Sequence, residues 1–170
     1  GLMRGVFLWN SEVGKGAFKM KSFYLENVCG NHIVWGASKV KELRVIHKEG
    51  AIRDLGKRVA TMLREWSEIS STHEEGAIRA ARNFVIAKTK EQVIEKLFEN
   101  KKLGLTKTDI TNAYEWAEVW EKTAKSPPNT AWGFIHGLTR YSQTMPYAED
   151  RDVLDQAAGR YLDMVVALAA

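Results

Sequence analysis

The spacing of apolar residues changes once along the chain, near Gly50. Before it, apolar residues run in short blocks or alternate with polar ones. After it, they recur at steps of three and four. Gly5-Val6-Phe7-Leu8-Trp9 is a compact apolar run of β-branched and aromatic residues. It predicts a strand over Arg4 to Asn10, buried on both faces or nearly so. Ser11 to Gly16 reads as a turn. Ala17 to Asn27 then alternates, with Phe18 and Met20 on one side and Lys19 and Lys21 on the other, the period of a half-buried strand. The two strands make a hairpin with Lys15 at its tip. Ile33 to Gly36 predicts a short strand, and Val40 to Lys48 a longer one dotted with basic residues.

Beyond Gly50, Ile52, Leu55, Val59, Met62, Leu63, Trp66 and Ile69 form one apolar helical face. The pattern extends through Ala77, Ile78, Ala81, Phe84 and Val85. This predicts one long helix lying across the sheet, with a break placed at Ser70-Ser71-Thr72 or Gly76. Thr89 to Gln92 has the form of a capping box ahead of Val93, Ile94, Leu97 and Phe98, and Gly104 is a stop. Thr106 or Thr108 opens a helix carrying Trp116 and Trp120, whose spacing suits a packing ridge. After Ser126-Pro127-Pro128, Asn129 or Thr130 caps a helix with Trp132, Ile135, Leu138 and Tyr141 inward. Glu149 to Ala167 is the last helix, with Val153, Leu154, Ala157, Ala158, Tyr161, Leu162, Val165 and Val166 as its stripe. The expected fold is therefore α+β: an N-terminal antiparallel sheet of three or four strands, followed by a helical C-terminal two-thirds of four or five helices. The whole chain, 1–170, is expected to form one domain, with 1–48 as its β-rich basic part and 49–170 as its helical part.

Charge sharpens this division. Gly1 to Arg64 holds 12 Lys/Arg against 5 Asp/Glu, a net of +7; Glu65 to Ala170 holds 13 against 16, a net of −3. The two figures account for the whole-chain charge of +4. Such a split points to a polyanion surface on the basic side. The competing explanation is a solvated sheet, since lysine is common on exposed edges. The residues expected to contact phosphates are Lys15, Lys19, Lys21, Lys39, Lys41, Arg44 and Lys48, aided by Arg53, Lys57 and Arg58. Tyr24 or Trp35 is expected to stack on bases.

Catalytic patterns are absent. Gly14-Lys15-Gly16 lacks the spacing and the Ser/Thr of a phosphate-binding P-loop. His32, His47, His73 and His136 are scattered, with no metal-ligand spacing among them. Cys29 is the one cysteine, so neither a disulfide within the chain nor a Cys-rich zinc site exists. It reads as a small core filler, being next to a turn at the end of an apolar strand. No metal, cofactor or enzymatic activity is expected. A single cysteine, no run long enough to span a bilayer and no signal-peptide pattern together suit a reducing, cytoplasmic setting.

Several strings together resemble a known family: Arg4 to Gly14, Val28-Cys29-Gly30-Asn31, Ile46-His47 and Ala131-Trp132-Gly133-Phe134-Ile135-His136-Gly137-Leu138-Thr139-Arg140-Tyr141. They are similar to the phage- and plasmid-borne proteins grouped as "domain of unknown function 932". Members generally run longer at the N-terminus, so the chain resembles the C-terminal part of one, or a short member. Where that family pattern leads us to expect an asparagine in the Trp132 block, this chain has His136. The resemblance implies nucleic-acid work on a mobile element and no assigned catalytic residue. By analogy of layout with phage single-strand annealing proteins, it implies binding of single-stranded DNA in recombination, by a protein that forms homo-oligomers. The alternative is a structural protein that assembles with itself or another protein. A third reading, a nucleic-acid enzyme, requires a carboxylate cluster that binds metal.

Overall fold

The computed structural model describes residues 2–9, 17–26, 32–33, 42–46, 53–68 and 72–169. The fold is α+β. Four strands form one antiparallel sheet: β1 (Leu2–Trp9), β2 (Ala17–Glu26), β3 (His32–Ile33) and β4 (Glu42–Ile46). Strand β2 is the centre. Strand β1 pairs with it along one edge from Leu2↔Glu26 to Trp9↔Lys19. The other edge is shared: β4 pairs with Ala17 to Lys21, and β3 with Tyr24 and Leu25.

Six α-helices follow among the described residues: α1 (Leu55–Glu68), α2 (Thr72–Asn83), α3 (Lys90–Glu99), α4 (Lys107–Ala124), α5 (Ala131–Ser142) and α6 (Ala148–Ala169). The pattern read as one long helix from residue 50 onward is two helices, α1 ending at Glu68 and α2 starting at Thr72; this agrees with the break expected at Ser70-Ser71-Thr72, while Gly76 lies inside α2. The apolar repeat carries on across the interruption because both helices turn their stripes toward one core; Trp66 of α1 and Ala77, Ile78 and Ala81 of α2 share it.

Helix ends follow local chemistry. Thr89 caps α3 by accepting from the Gln92 amide. Thr106 and Asp109 form a reciprocal capping box at α4. Gly104 closes the 3₁₀ turn Lys101–Leu103 in the left-handed region, φ 68°, where a side chain is strained. Thr130 caps α5 by accepting from the Gly133 amide and donates to the Pro127 carbonyl.

Helix α5 is the centre of the molecule. Every residue from Ala131 to Thr139 is buried, so the helix is enclosed on all sides instead of showing one apolar face. Close packing there depends on two glycines. A Cβ on Gly137 would overlap the Ala113 carbonyl oxygen of α4, and one on Gly133 would overlap the Pro127 carbonyl oxygen. Helices α4 and α5 therefore meet backbone to backbone, with Ala113 and Ala117 as the facing small residues. Helices α2 and α6 pack against α5 as well, and α3 packs against α4.

Strand β1 departs from its expected double burial. Met3 and Leu8 are exposed, and Gly5, Val6 and Phe7 are partly covered. Among the described residues β1 pairs with β2 alone, and Val6 packs against the core. The apolar content of β1 serves local packing too: the Phe23 ring lies over Gly5, and Phe7 stacks on Phe23 at 4.2 Å between centroids. Val153 and Leu63 also face outward, contrary to their place in the apolar stripes.

Two buried groups titrate in opposite senses. His136 is enclosed in α5; burial pulls its imidazole down to about 4, and Arg140 and Arg82 add to the effect. Burial pushes the Asp155 carboxyl up to about 7; Ser142 opposes the shift, Asp152 adds to it, and Lys21 and Arg151 oppose it. Between about pH 4 and 6.5 the unfolded chain binds the histidine proton and the folded chain does not, so stability from His136 rises with pH. Over pH 4 to 7 the folded chain keeps the Asp155 proton and the unfolded chain does not, so stability from Asp155 falls with pH. Each slope is about 1.4 kcal/mol per pH unit, and they cancel in the shared window.

Two outcomes follow from this packing. Gly137→Ala is expected to lower unfolding free energy by about 3 kcal/mol, because a backbone carbonyl cannot yield as a side chain does; urea denaturation measures it, and a loss below about 0.5 kcal/mol would contradict the close contact. Relative to the parent chain, Asp155→Asn should steepen the rise of stability with pH between 4 and 6.5, and His136→Gln should make stability fall over that range. Urea midpoints at a series of pH values check this; profiles parallel to the parent's would mean that neither group is shifted by folding.

Candidate nucleic-acid interface

The sheet has two faces that differ in what covers them. Met20 of β2 and Leu43 and Val45 of β4 are buried with Met62 of α1, and Phe18, Val6, Leu55 and Val59 pack against them. Helix α1 therefore lies on the face that carries the even-numbered residues of β2. Arg4 supports this placement: its guanidinium donates to the Ser67 carbonyl at 3.2 Å and lies 6.0 Å from the Trp66 ring. Side chains alternate along a strand, so Lys19, Lys21 and Arg44 point to the other face.

On that other face the register sets Lys19 directly opposite Arg44. Both are exposed. Like charges directly opposed in an antiparallel pair repel each other and weaken the sheet. Neither has a carboxylate opposite it in register; Glu42 stands opposite Lys21. The pair therefore presents two cations side by side to solvent, a geometry suited to an anion.

Lys21 does not belong to that surface, which corrects the expected solvent-facing row. It is buried, and its ammonium pairs with Asp152 of α6 at 2.5 Å. Asp152 also accepts from Gln156, and one helical turn further on Asp155 stands 2.6 Å from Ser142 Oγ. Ser142 Oγ lies within 2.8 Å of the Thr139 carbonyl as well. The Ser142 hydroxyl donates to Asp155 Oδ1, the contact that opposes the upward shift of that carboxyl. Lys21 thus fastens the sheet to the helical part. The two-residue period put Lys19 and Lys21 on one face correctly. It could not show that α6 covers only one of them.

The remaining expected contacts divide. Arg53, Lys57 and Arg58 are exposed at the start of α1. Since α1 covers the opposite face, these cations lie on the other side of the sheet from Lys19 and Arg44. The described cations are not gathered on one face. Tyr24 takes part in β2, paired with Arg4 and Ile33. Lys15, Trp35, Lys39, Lys41 and Lys48 lie outside the described residues, as do Cys29 and His47.

Elsewhere the aromatic residues serve packing. The Arg140 guanidinium covers the Trp120 ring at 4.0 Å, so the Trp120 end of the expected ridge is closed by α5. Lys90 spans Glu115 and Glu118 at 3.4 and 3.3 Å and lies over Tyr114, tying α3 to α4. Among the described residues no group of three His, Cys, Asp or Glu side chains is arranged to hold a metal ion. Among them also, no helix is long and apolar enough to cross a membrane.

The Lys21 pair is testable directly. Lys21→Met should lower stability by about 2 kcal/mol, because it leaves the part-buried Asp152 carboxylate without its cation. The cost stays below that of a fully buried pair, since the Asp152 side chain keeps 32 % exposure. Asp152→Asn in the same chain should recover part of the loss; a double-mutant cycle without coupling would remove the pair from the account of how the two parts are joined.

No curated protein and no solved structure matches the chain. A family model does match, over residues 3–161, from the first strand to within the last helix. On that span the chain belongs to the family described as Domain of unknown function (DUF932).

Proposed function

We propose that this chain is a nucleic-acid-binding protein that takes single-stranded DNA, with annealing in the recombination of a phage or plasmid as its setting. The observation that carries the reading is the exposed Lys19–Arg44 pair, opposed in register on the sheet face away from α1. A repulsive pair costs the fold stability, and an anion lying across it relieves that repulsion. The +7 of residues 1–64 supplies the longer-range field, which draws a phosphate chain toward this end of the molecule. Phosphate contacts account for most of such affinity and make it salt-dependent. The reading is of a binding protein and not of an enzyme. Its second part, that the chain works as a homo-oligomer, rests on the analogy of layout, and a cytoplasmic setting rests on the single cysteine.

Fluorescence anisotropy with labelled oligonucleotides tests it. Affinity is expected to fall steeply with added salt, and Lys19→Glu with Arg44→Glu should weaken binding roughly tenfold or more. Both residues are exposed, so the thermal midpoint should stay close to the parent's. Lys21→Glu is unsuited as a probe, since it would set a third carboxylate beside Asp152 and Asp155. Absence of binding to any oligonucleotide, or binding indifferent to salt, would sink the reading. Light scattering in the presence and absence of DNA separates it from a purely structural assembly.

A further inference from the structure

The exposed cations lie on both sides of strand β4. Arg44 and its neighbour Lys19 stand on one face. Arg53, Lys57 and Arg58 stand on the first turn of α1 and just before it, and α1 packs against β4 on the opposite face. Among the described residues β4 pairs with β2 alone. The stretch of sequence that contains β4 and the start of α1 is strongly basic. Residues 39–58 hold seven Lys/Arg and three Asp/Glu, a net of +4 in 20 positions.

From this we infer that the bound polyanion crosses the β4 edge, touching Lys19 and Arg44 on one side and Arg53, Lys57 and Arg58 on the other. The inference rests on the nucleic-acid reading and gives it a path. A chain that follows it must reverse direction within the thickness of one sheet and one helix. A DNA duplex has a persistence length of about 150 base pairs and resists such a turn. A single strand makes it at little cost. The crossing therefore selects single strands by flexibility, with no base read. It also accounts for cations on two faces that no flat surface could join.

The test uses the 170-residue chain and two charge-reversal pairs, Lys19→Glu with Arg44→Glu, and Lys57→Glu with Arg58→Glu. All four side chains are exposed, and unchanged far-UV circular dichroism checks that the variants fold. Binding of oligo-dT of about 6 and about 30 nucleotides is measured, lengths that bracket the usual single-strand site sizes of roughly 4–16 nucleotides. A duplex and a polyglutamate peptide serve as competitors. The longer oligonucleotide should lose roughly tenfold or more in affinity with either pair, and each pair should lower its salt slope by about 0.7 for every phosphate contact removed. The shorter one should lose less affinity with either pair than the longer one, because it makes fewer phosphate contacts. The duplex should compete at least tenfold less well than the single strand.

Equal competition by the duplex overturns the crossing, and so does a longer oligonucleotide that depends on one pair alone. Either result leaves nucleic-acid binding itself intact. Polyglutamate competing as well as oligo-dT also overturns it, and makes the β4 edge a site for acidic peptides. If no oligonucleotide binds at all, the nucleic-acid reading fails, and the crossing fails with it.

Discussion

The backbone-to-backbone approach of α4 and α5 is the contact on which the rest of the structure depends. Gly137 leaves room for the Ala113 carbonyl, and Gly133 for that of Pro127. Removing two side chains from one face of α5 lets a helix of nine consecutive buried residues sit at the centre without leaving voids. Helices α2 and α6 then close around it, and α6 reaches the sheet. The segment before α5 is held in the same way by backbone bonds: Ile86 donates to the Asn129 carbonyl and Ala131 to the Phe84 carbonyl, at 2.9 and 2.8 Å. The tightest packing thus lies in the helical part. The sheet, for all its glycines and charge, is attached to it.

That attachment explains why the sheet is asymmetric. One face carries α1 over an apolar cluster centred on Met20. The other meets α6 only at one end, where Lys21 reaches Asp152. Past that point Lys19 and Arg44 are uncovered. The same face therefore changes from a part-buried ion pair to an open cation pair within two residues of β2. Coverage by α6 decides which lysine holds the fold together and which is available to a ligand. Further inward, burial pushes the Asp155 carboxyl up to about 7, and the neighbouring Asp152 adds to the shift.

Much of the fold was legible locally. Alternation found β2, and the threefold and fourfold steps found α3 to α6 and the joint stripe of α1 and α2. Thr89, Thr106 and Thr130 marked three helix starts through their capping chemistry. The candidate interface was legible only in part. Charge counting located the basic region, but not that Lys21 is enclosed or that Arg53, Lys57 and Arg58 lie across the sheet from Arg44. The enclosure of α5 had one signal that periodicity overlooked: Ala131 to Thr139 carries no acidic or strongly basic residue, as suits a helix without a solvent face.

The sequence by itself determined the class of the fold, the strand and helix periods, the capping residues and the uneven distribution of charge. These depend on neighbours within a few positions, whose geometry a strand or helix fixes in advance. Which side chains are buried when both options suit the period was decided by the tertiary structure alone. Lys19 and Lys21 are alike in type, strand and face, and Leu63 is as apolar as Met62. Met62 is buried because it meets Met20, Leu43 and Val45 of the sheet, and the two lysines differ because α6 brings Asp152, 131 positions further along the chain, to Lys21. Contacts of that range are chosen by the packing of whole elements.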